Sequence, residues 1–189
     1  VIGMVGLLED ISHTTTNSYK NPGDLIVCLG ALNSTLGGSE FLKTIHNRIE
    51  GPVHNLDIKS ELDVQALCLY AIKKGIINSA HDLSDGGLAV NVSESILFSD
   101  EGLGAEINLS RKLRNDELLF GECQSVIIVT IKEENLYDLI VKAQELGVYT
   151  QTIGKVVDSP NLRINDLIDL DRDSLSKAYF KSFEEIMEN

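Results

Sequence analysis

Two β-branched and apolar runs, Ser125 to Ile131 and Val148 to Val157, enclose a segment from Glu133 to Leu146 in which Leu136, Leu139, Ile140, Ala143 and Leu146 recur at helical spacing, closed by Gly147. Runs of this kind read as strands and the recurrence between them as an amphipathic helix. A single helix between two strands returns the chain to the same sheet, so the unit is either a right-handed βαβ crossover or an element of a ferredoxin-like half. Either one requires a sheet with helices packed on it. The fold class is therefore α/β (α+β), a mixed β-sheet in a layered α/β/α arrangement with ferredoxin-like βαβ elements.

The remaining segments fit that scheme. Asp24 to Gly30 reads as a buried strand bracketed by glycines, followed by a short helix from Phe41 to Asn47. Pro52 breaks the chain ahead of a helix from Glu61 to Lys74, with Ser60 as N-cap, Gly75 as the C′ residue, and Leu62, Leu69 and Ile72 with Val64 and Ala66 on its packed face. A strand over Gly75 to His81 and a helix over Gly87 to Phe98 come next, the helix buried through Leu88, Val90, Val92, Ile96 and Leu97. Gly104 to Leu109 is a short strand, Arg111 to Phe120 a short helix, Leu162 to Leu170 an extended excursion, and Asp173 to Met187 a closing helix. The first residues differ: an apolar start precedes polar Ser12 to Ser18, which divides the chain into a tail and linker at 1–21 and a domain at 22–189. With no initiator Met at Val1, the chain reads as a piece of something longer.

Charge and cysteines narrow the function. A net charge of −13 argues against nucleic acid, whose backbone is bound by Lys and Arg clusters. No apolar run approaches the roughly 18 residues of a membrane span, and no basic leader is present, so no membrane partner is expected. Cys28, Cys68 and Cys123 are far apart and lack metal spacing, which reads as buried thiols in a reducing cytoplasm.

The stretch with most chemical content is His81-Asp82-Leu83-Ser84-Asp85-Gly86-Gly87-Leu88, two acids, a hydroxyl and two glycines between a strand and a helix. One reading is an ordinary capped turn. The other is a phosphate and metal site: the helix start favours anions, the glycines allow close backbone approach, and Asp82 and Asp85 offer the hard oxygens that Mg2+ prefers. The negative charge of the chain sits awkwardly with a phosphorylated ligand unless bound metal or a neighbouring domain supplies positive field. His81 is read as orienting the turn rather than as a general base. Glu122 and Gln124 either touch ligand or are edge polar residues, and Gly37-Gly38-Ser39-Glu40 is a helix-start loop that reads as an anion site or only a cap, with a packing and domain-contact role favoured. His13, His46 and His54 are isolated, and Cys123 has no evident partner that would make it a nucleophile.

Four segments resemble one family in order and spacing: Leu36-Gly37-Gly38-Ser39-Glu40-Phe41-Leu42, His81 to Ala89, Gly102-Leu103-Gly104-Ala105-Glu106, and Leu119-Phe120-Gly121-Glu122-Cys123-Gln124-Ser125. They are similar to the C-terminal part of phosphoribosylformylglycinamidine synthase, within the superfamily that includes aminoimidazole ribonucleotide synthetase, selenophosphate synthetase and thiamine-monophosphate kinase. The likeness covers essentially the whole chain, with Val1 to Gly6 resembling the last strand of a preceding nucleotide-binding domain. Cys123 departs from the usual Ser of the family, which weakens any polar contact there.

The resemblance implies a purine-biosynthetic ligase that uses ATP, with ammonia derived from glutamine, to convert formylglycinamide ribonucleotide to its amidine. This chain would be a flanking domain, inactive alone, that supplies part of an auxiliary ATP/ADP and Mg2+ site. By motif match, Asp82 is the metal ligand, Ser84 donates to nucleotide phosphate, and Asp85, Gly86 and Gly87 shape the turn. Implied partners are the upstream nucleotide-binding domains, a glutaminase subunit and a small accessory subunit; the end at Asn189 is read as leaving no fused glutaminase behind it. Two alternatives carry different functions: aminoimidazole ribonucleotide synthetase, and a non-catalytic bracing module that contacts a partner.

Overall fold

The computed structural model describes residues 3, 5–53, 55–100, 102–109, 113–181 and 187. Among them, seven strands form one mixed sheet in the order β2-β4-β1-β5-β3-β6-β7. The strands are β1 (Leu25–Leu29), β2 (Ile77–Asp82), β3 (Gly104–Ile107), β4 (Ile127–Ile131), β5 (Thr150–Val157), β6 (Asn161–Ile164) and β7 (Ile168–Asp171). Among these seven strands only the β3–β6 pairing is parallel. The helices are α1 (Glu40–His46), α2 (Ile58–Lys74), α3 (Gly87–Leu97), α4 (Asn115–Phe120), α5 (Leu136–Leu146) and α6 (Arg172–Ser176).

β1 runs antiparallel to both β4 and β5. The unit β4-α5-β5 therefore joins two strands that are parallel to each other with β1 inserted between them, a split βαβ. The same holds for β1-α2-β2, with β4 as the inserted strand. Two interlocked split units make a ferredoxin-like core, and α3, β3 and α4 are an insertion between β2 and β4.

Residue alternation on β1 divides the interior in two. Ile26 and Cys28 face a cluster with Leu88, Val92 and Ile96 of α3 and Leu118 and Leu119 of α4. Val27 and Leu29 face the opposite cluster, with Val64, Leu67, Cys68 and Ala71 of α2 and Leu139 and Ala143 of α5. Side chains alternate across a strand, so a strand apolar at every position must be covered on both faces. That produces the α/β/α layering.

Several boundaries differ from expectation. α2 begins three residues before Glu61, because the Asp57 carboxylate, not Ser60, caps it by accepting from the Lys59 and Ser60 N–H groups. Its buried stripe is Val64, Leu67, Cys68 and Ala71, whereas Leu62 and Leu69 are 59% and 56% exposed. In α3, Val90 is only half-buried. The excursion after β5 is a hairpin of β6 and β7, and the last described helix is short, with a π-helical turn over Lys177–Lys181. The expected extension to Met187 crosses residues 182–186, outside the described set, as do part of the helix placed at Arg111 and part of the strand at Val1 to Gly6.

Residues before β1 pack onto the domain. Thr16 bridges Ser79 in parallel on the outer edge of β2, and Tyr19 is 3% exposed in the core beside α3. There the Ala80 N–H donates to the Thr16 carbonyl at 3.0 Å and the Thr15 hydroxyl to the Asn78 carbonyl at 2.9 Å, which pairs part of an otherwise open edge. Among the described residues no helix is long and apolar enough to cross a membrane.

Candidate functional site

β2 ends at Asp82 and α3 begins at Gly87, so the acidic-glycine stretch is the turn between them. Gly86 and Gly87 have φ of 81° and 70°, in the left-handed region. A Cβ on Gly87 would lie 2.6 Å from the Gly121 carbonyl oxygen, so the turn is seated directly on the backbone after α4. The buried Asn91 amide donates to the Asp82 carbonyl at 2.7 Å, and the Leu83 N–H donates to the Val126 carbonyl at 2.9 Å. These contacts fix the strand end while Asp82, Ser84 and Asp85 stay exposed.

His81 is held by α3. Its Nδ1 lies 3.1 Å from Ser95 Oγ and its Nε2 3.4 Å from Glu94 Oε2. Both ring nitrogens are engaged within the domain, which supports an orienting role.

Glu122 joins the turn to a distant loop. Its Oε1 accepts from the Gly86 N–H at 3.0 Å and from the Glu40 N–H, at the start of α1, at 2.9 Å. Its backbone exchanges hydrogen bonds with Thr35 at 2.9 and 3.1 Å. Ser39 caps α1 through the Leu42 N–H, Phe41 stacks on Phe120 with centroids 5.0 Å apart, and a Cβ on Gly37 would meet the Pro52 carbonyl oxygen at 2.0 Å. Three of the four segments that carry the sequence resemblance thus meet at one place. The fourth does not: Gly104 lies on β3, where a Cβ would be 2.2 Å from the carbonyl oxygens of Ser159 and Asn161.

Glu122 and Gln124 part company. Gln124 is exposed and lines, with Asp57, Lys59 and Tyr149, a separate cavity of about 350 Å³ at the start of α2. Ser125 beside it has φ of 60° and donates through Oγ to Glu61 Oε2 at 2.7 Å. No periodicity ties residue 122 to residues 40 and 86, so the sequence held no signal for the Glu122 contacts.

The thiols are buried and protonated. Burial, with Cys123 adding to it, pushes Cys28 up to about 12, and burial pushes Cys68 and Cys123 to about 11. Cys123 faces the core, so its departure from Ser lies off the turn.

Residues 21–166 match the family profile described as AIR synthase related protein, C-terminal domain. The chain belongs to that family. Among curated relatives, it is 40% identical over 157 residues to phosphoribosylformylglycinamidine synthase subunit PurL of Alkaliphilus metalliredigens, covering 83% of this chain and 21% of the relative. It is 38% identical over 190 residues to the PurL subunit of Moorella thermoacetica, covering 99% of this chain and 26% of the relative. The chain thus spans about a quarter or less of the length of these relatives. Thermotoga maritima PurL complexed with FGAR has the same fold, with a TM-score of 0.73 at 17% identity over 88% of this chain and 30% of that one. The T. maritima PurLQS structure gives 0.70 at 18% identity, and T. maritima PurL complexed with ATP gives 0.66 at 17%, each over 88% of this chain and 28% of that one.

For this AIR synthase related domain, the donor set sets limits on a metal. Among the described residues no group of three or more His, Cys, Asp and Glu is placed to hold an ion. Glu122 already accepts two backbone N–H bonds, which leaves Asp82 and Asp85 as exposed carboxylates on the turn. Mg2+ is commonly bound by one or two carboxylates together with ligand phosphates, so these two carboxylates could hold an ion only with ligands supplied from outside the turn.

Proposed function

We propose that this chain is the C-terminal domain of a PurL-type phosphoribosylformylglycinamidine synthase, the ligase that converts formylglycinamide ribonucleotide, ATP and glutamine-derived ammonia to formylglycinamidine ribonucleotide, ADP and phosphate. The observation that carries this reading is the 40% identity to a PurL subunit across 83% of the chain. An amide oxygen is a poor leaving group; phosphorylation by ATP makes it one, and ammonia then displaces phosphate from the activated carbon. Positioning of the reactants supplies much of the acceleration. The residues that hold the reacting groups belong to other parts of the longer protein.

The contribution of this domain is an auxiliary Mg2+-nucleotide half-site and domain packing. Mg2+ bound there would neutralise phosphate charge. Asp82, exposed at the end of β2, offers its carboxylate to the ion, and the Ser84 hydroxyl donates to a phosphate oxygen. Asp85 shapes the turn, and Lys43 is engaged by Glu40 at 2.7 Å. Gly86 and Gly87 hold the left-handed backbone of the turn, and the space a Cβ would take is already filled by Val90 and by the Gly121 carbonyl oxygen, each at 2.6 Å. With a net charge of −13, most of the positive field must come from the metal and from neighbouring domains of the same chain. A glutaminase and a small accessory subunit would complete a cytoplasmic enzyme.

The longer protein, given formylglycinamide ribonucleotide, Mg2+-ATP and an ammonium salt, should form the amidine and ADP in equal amounts, read by mass spectrometry. ADP formation independent of formylglycinamide ribonucleotide would contradict the reading. Ring closure of formylglycinamidine ribonucleotide to the aminoimidazole would assign the chain to the synthetase branch instead.

A further inference from the structure

We propose that Glu122 is a positioning residue for the acidic-glycine turn: its carboxylate latches the turn to the start of α1 and so sets the affinity of the turn for Mg2+-nucleotide without touching that ligand. This rests on the reading of the turn as a half-site.

Glu122 is anchored first by its own backbone, through the paired hydrogen bonds with Thr35. From that fixed base a single oxygen, Oε1, accepts from two N–H groups that are 36 and 82 residues away in sequence. One is Gly86, whose left-handed backbone gives α3 an N-cap with no side-chain hydrogen bond of its own. The other is Glu40, an N–H of the first turn of α1 that has no partner within the helix. A carboxylate is favoured at both places because helix starts attract negative charge. Releasing the latch frees the backbone of Gly86, a glycine with wide torsional range, and with it the spacing between Asp82 and Ser84 on one side and the α3 backbone on the other. The turn would still exist, but as several conformations, only some competent to bind.

Because both N–H groups use the same oxygen, an amide can replace the carboxylate. Glu122→Gln keeps the reach and a carbonyl acceptor at that position. Glu122→Asp keeps the charge but withdraws the acceptor by more than about 1 Å, out of range of at least one donor. A residue that coordinated the metal itself would show the reverse order, since the amide loses the charge and the shorter acid retains it.

The test uses the longer protein that carries this chain, with wild type, Glu122→Gln, Glu122→Asp and Asp82→Asn compared by titration calorimetry with Mg2+-ADP and by amide hydrogen exchange. Glu122→Gln should bind Mg2+-ADP within about threefold of wild type, and Glu122→Asp about tenfold or more weakly. The amides of Gly86 and Glu40 should exchange about tenfold or more faster in Glu122→Asp and near the wild-type rate in Glu122→Gln. Unchanged exchange in Glu122→Asp overturns the latch. Faster exchange with unchanged affinity overturns its positioning role while the half-site stands. An order in which Asp binds better than Gln makes Glu122 a direct ligand. If Asp82→Asn binds Mg2+-ADP as wild type does, the half-site reading itself fails and the positioning role falls with it.

Discussion

Gly87 and Gly75 both have left-handed backbones, with φ of 70° and 65°, yet their surroundings differ completely. A Cβ on Gly75 would meet nothing within 4 Å, whereas one on Gly87 would stand 2.6 and 2.8 Å from the Gly121 carbonyl oxygen and the Phe120 backbone. Gly75→Ala should therefore cost about 1 kcal/mol of backbone strain, and Gly87→Ala about 3 kcal/mol or more, in urea unfolding of the chain. Equal losses would mean that the turn is not seated on residues 120–121. The sequence disclosed that these glycines sit at element ends; what presses on them comes from parts of the chain distant in sequence. The buried thiols give a second residue-scale prediction. The unfolded chain releases thiol protons near 9.0 while the folded chain holds them to about 11 or 12, so above pH 9 the unfolded state binds fewer protons. Stability is then fully present below pH 9 and falls as pH rises through the folded values. The Tyr19 phenol, raised by burial, adds with the same sign. The urea midpoint should drop between about pH 9 and 10.5, and Cys28→Ala should make that drop shallower; a midpoint that stays level contradicts the assignment.

At the scale of elements, α5 and α2 show what periodicity can and cannot decide. α5 has a single apolar stripe, and its members Leu139 and Ala143 are buried as the spacing predicts. α2 carries two. The stripe through Leu62 and Leu69 faces solvent, and that of Val64, Leu67, Cys68 and Ala71 faces β1 and β4. Only the packing of the sheet chooses between them, and the sheet is assembled from strands on both sides of α2 in sequence. Leu67→Ala should destabilise the chain by about 2–5 kcal/mol, while Leu69→Gln should change it by less than about 0.5 kcal/mol, measured by denaturant unfolding. Comparable losses from both would return α2 to the expected face. The hairpin of β6 and β7 was legible only as an extended excursion, because its register is set by pairing with β3 rather than by its own sequence.

For the whole molecule, the strand and helix pattern of 125–157 specified a layered sheet, and the ferredoxin-like core with its inserted α3, β3 and α4 follows from which strands pair. The turn itself was legible as the connection between a strand and a helix, because Asp82, Ser84, Asp85 and the two glycines are local signals. Its construction was not, because Glu122, Glu40 and Gly86 come together only in the folded domain. The proposed Mg2+-nucleotide half-site needs its other half from elsewhere in a longer protein. Titration calorimetry of Mg2+-ADP tests it most directly: the longer protein should bind tightly, the chain alone about a hundredfold or more weakly, and Asp82→Asn in the longer protein should lose most of the affinity. Full affinity in the longer protein with Asp82→Asn would mean that this domain holds no part of the site.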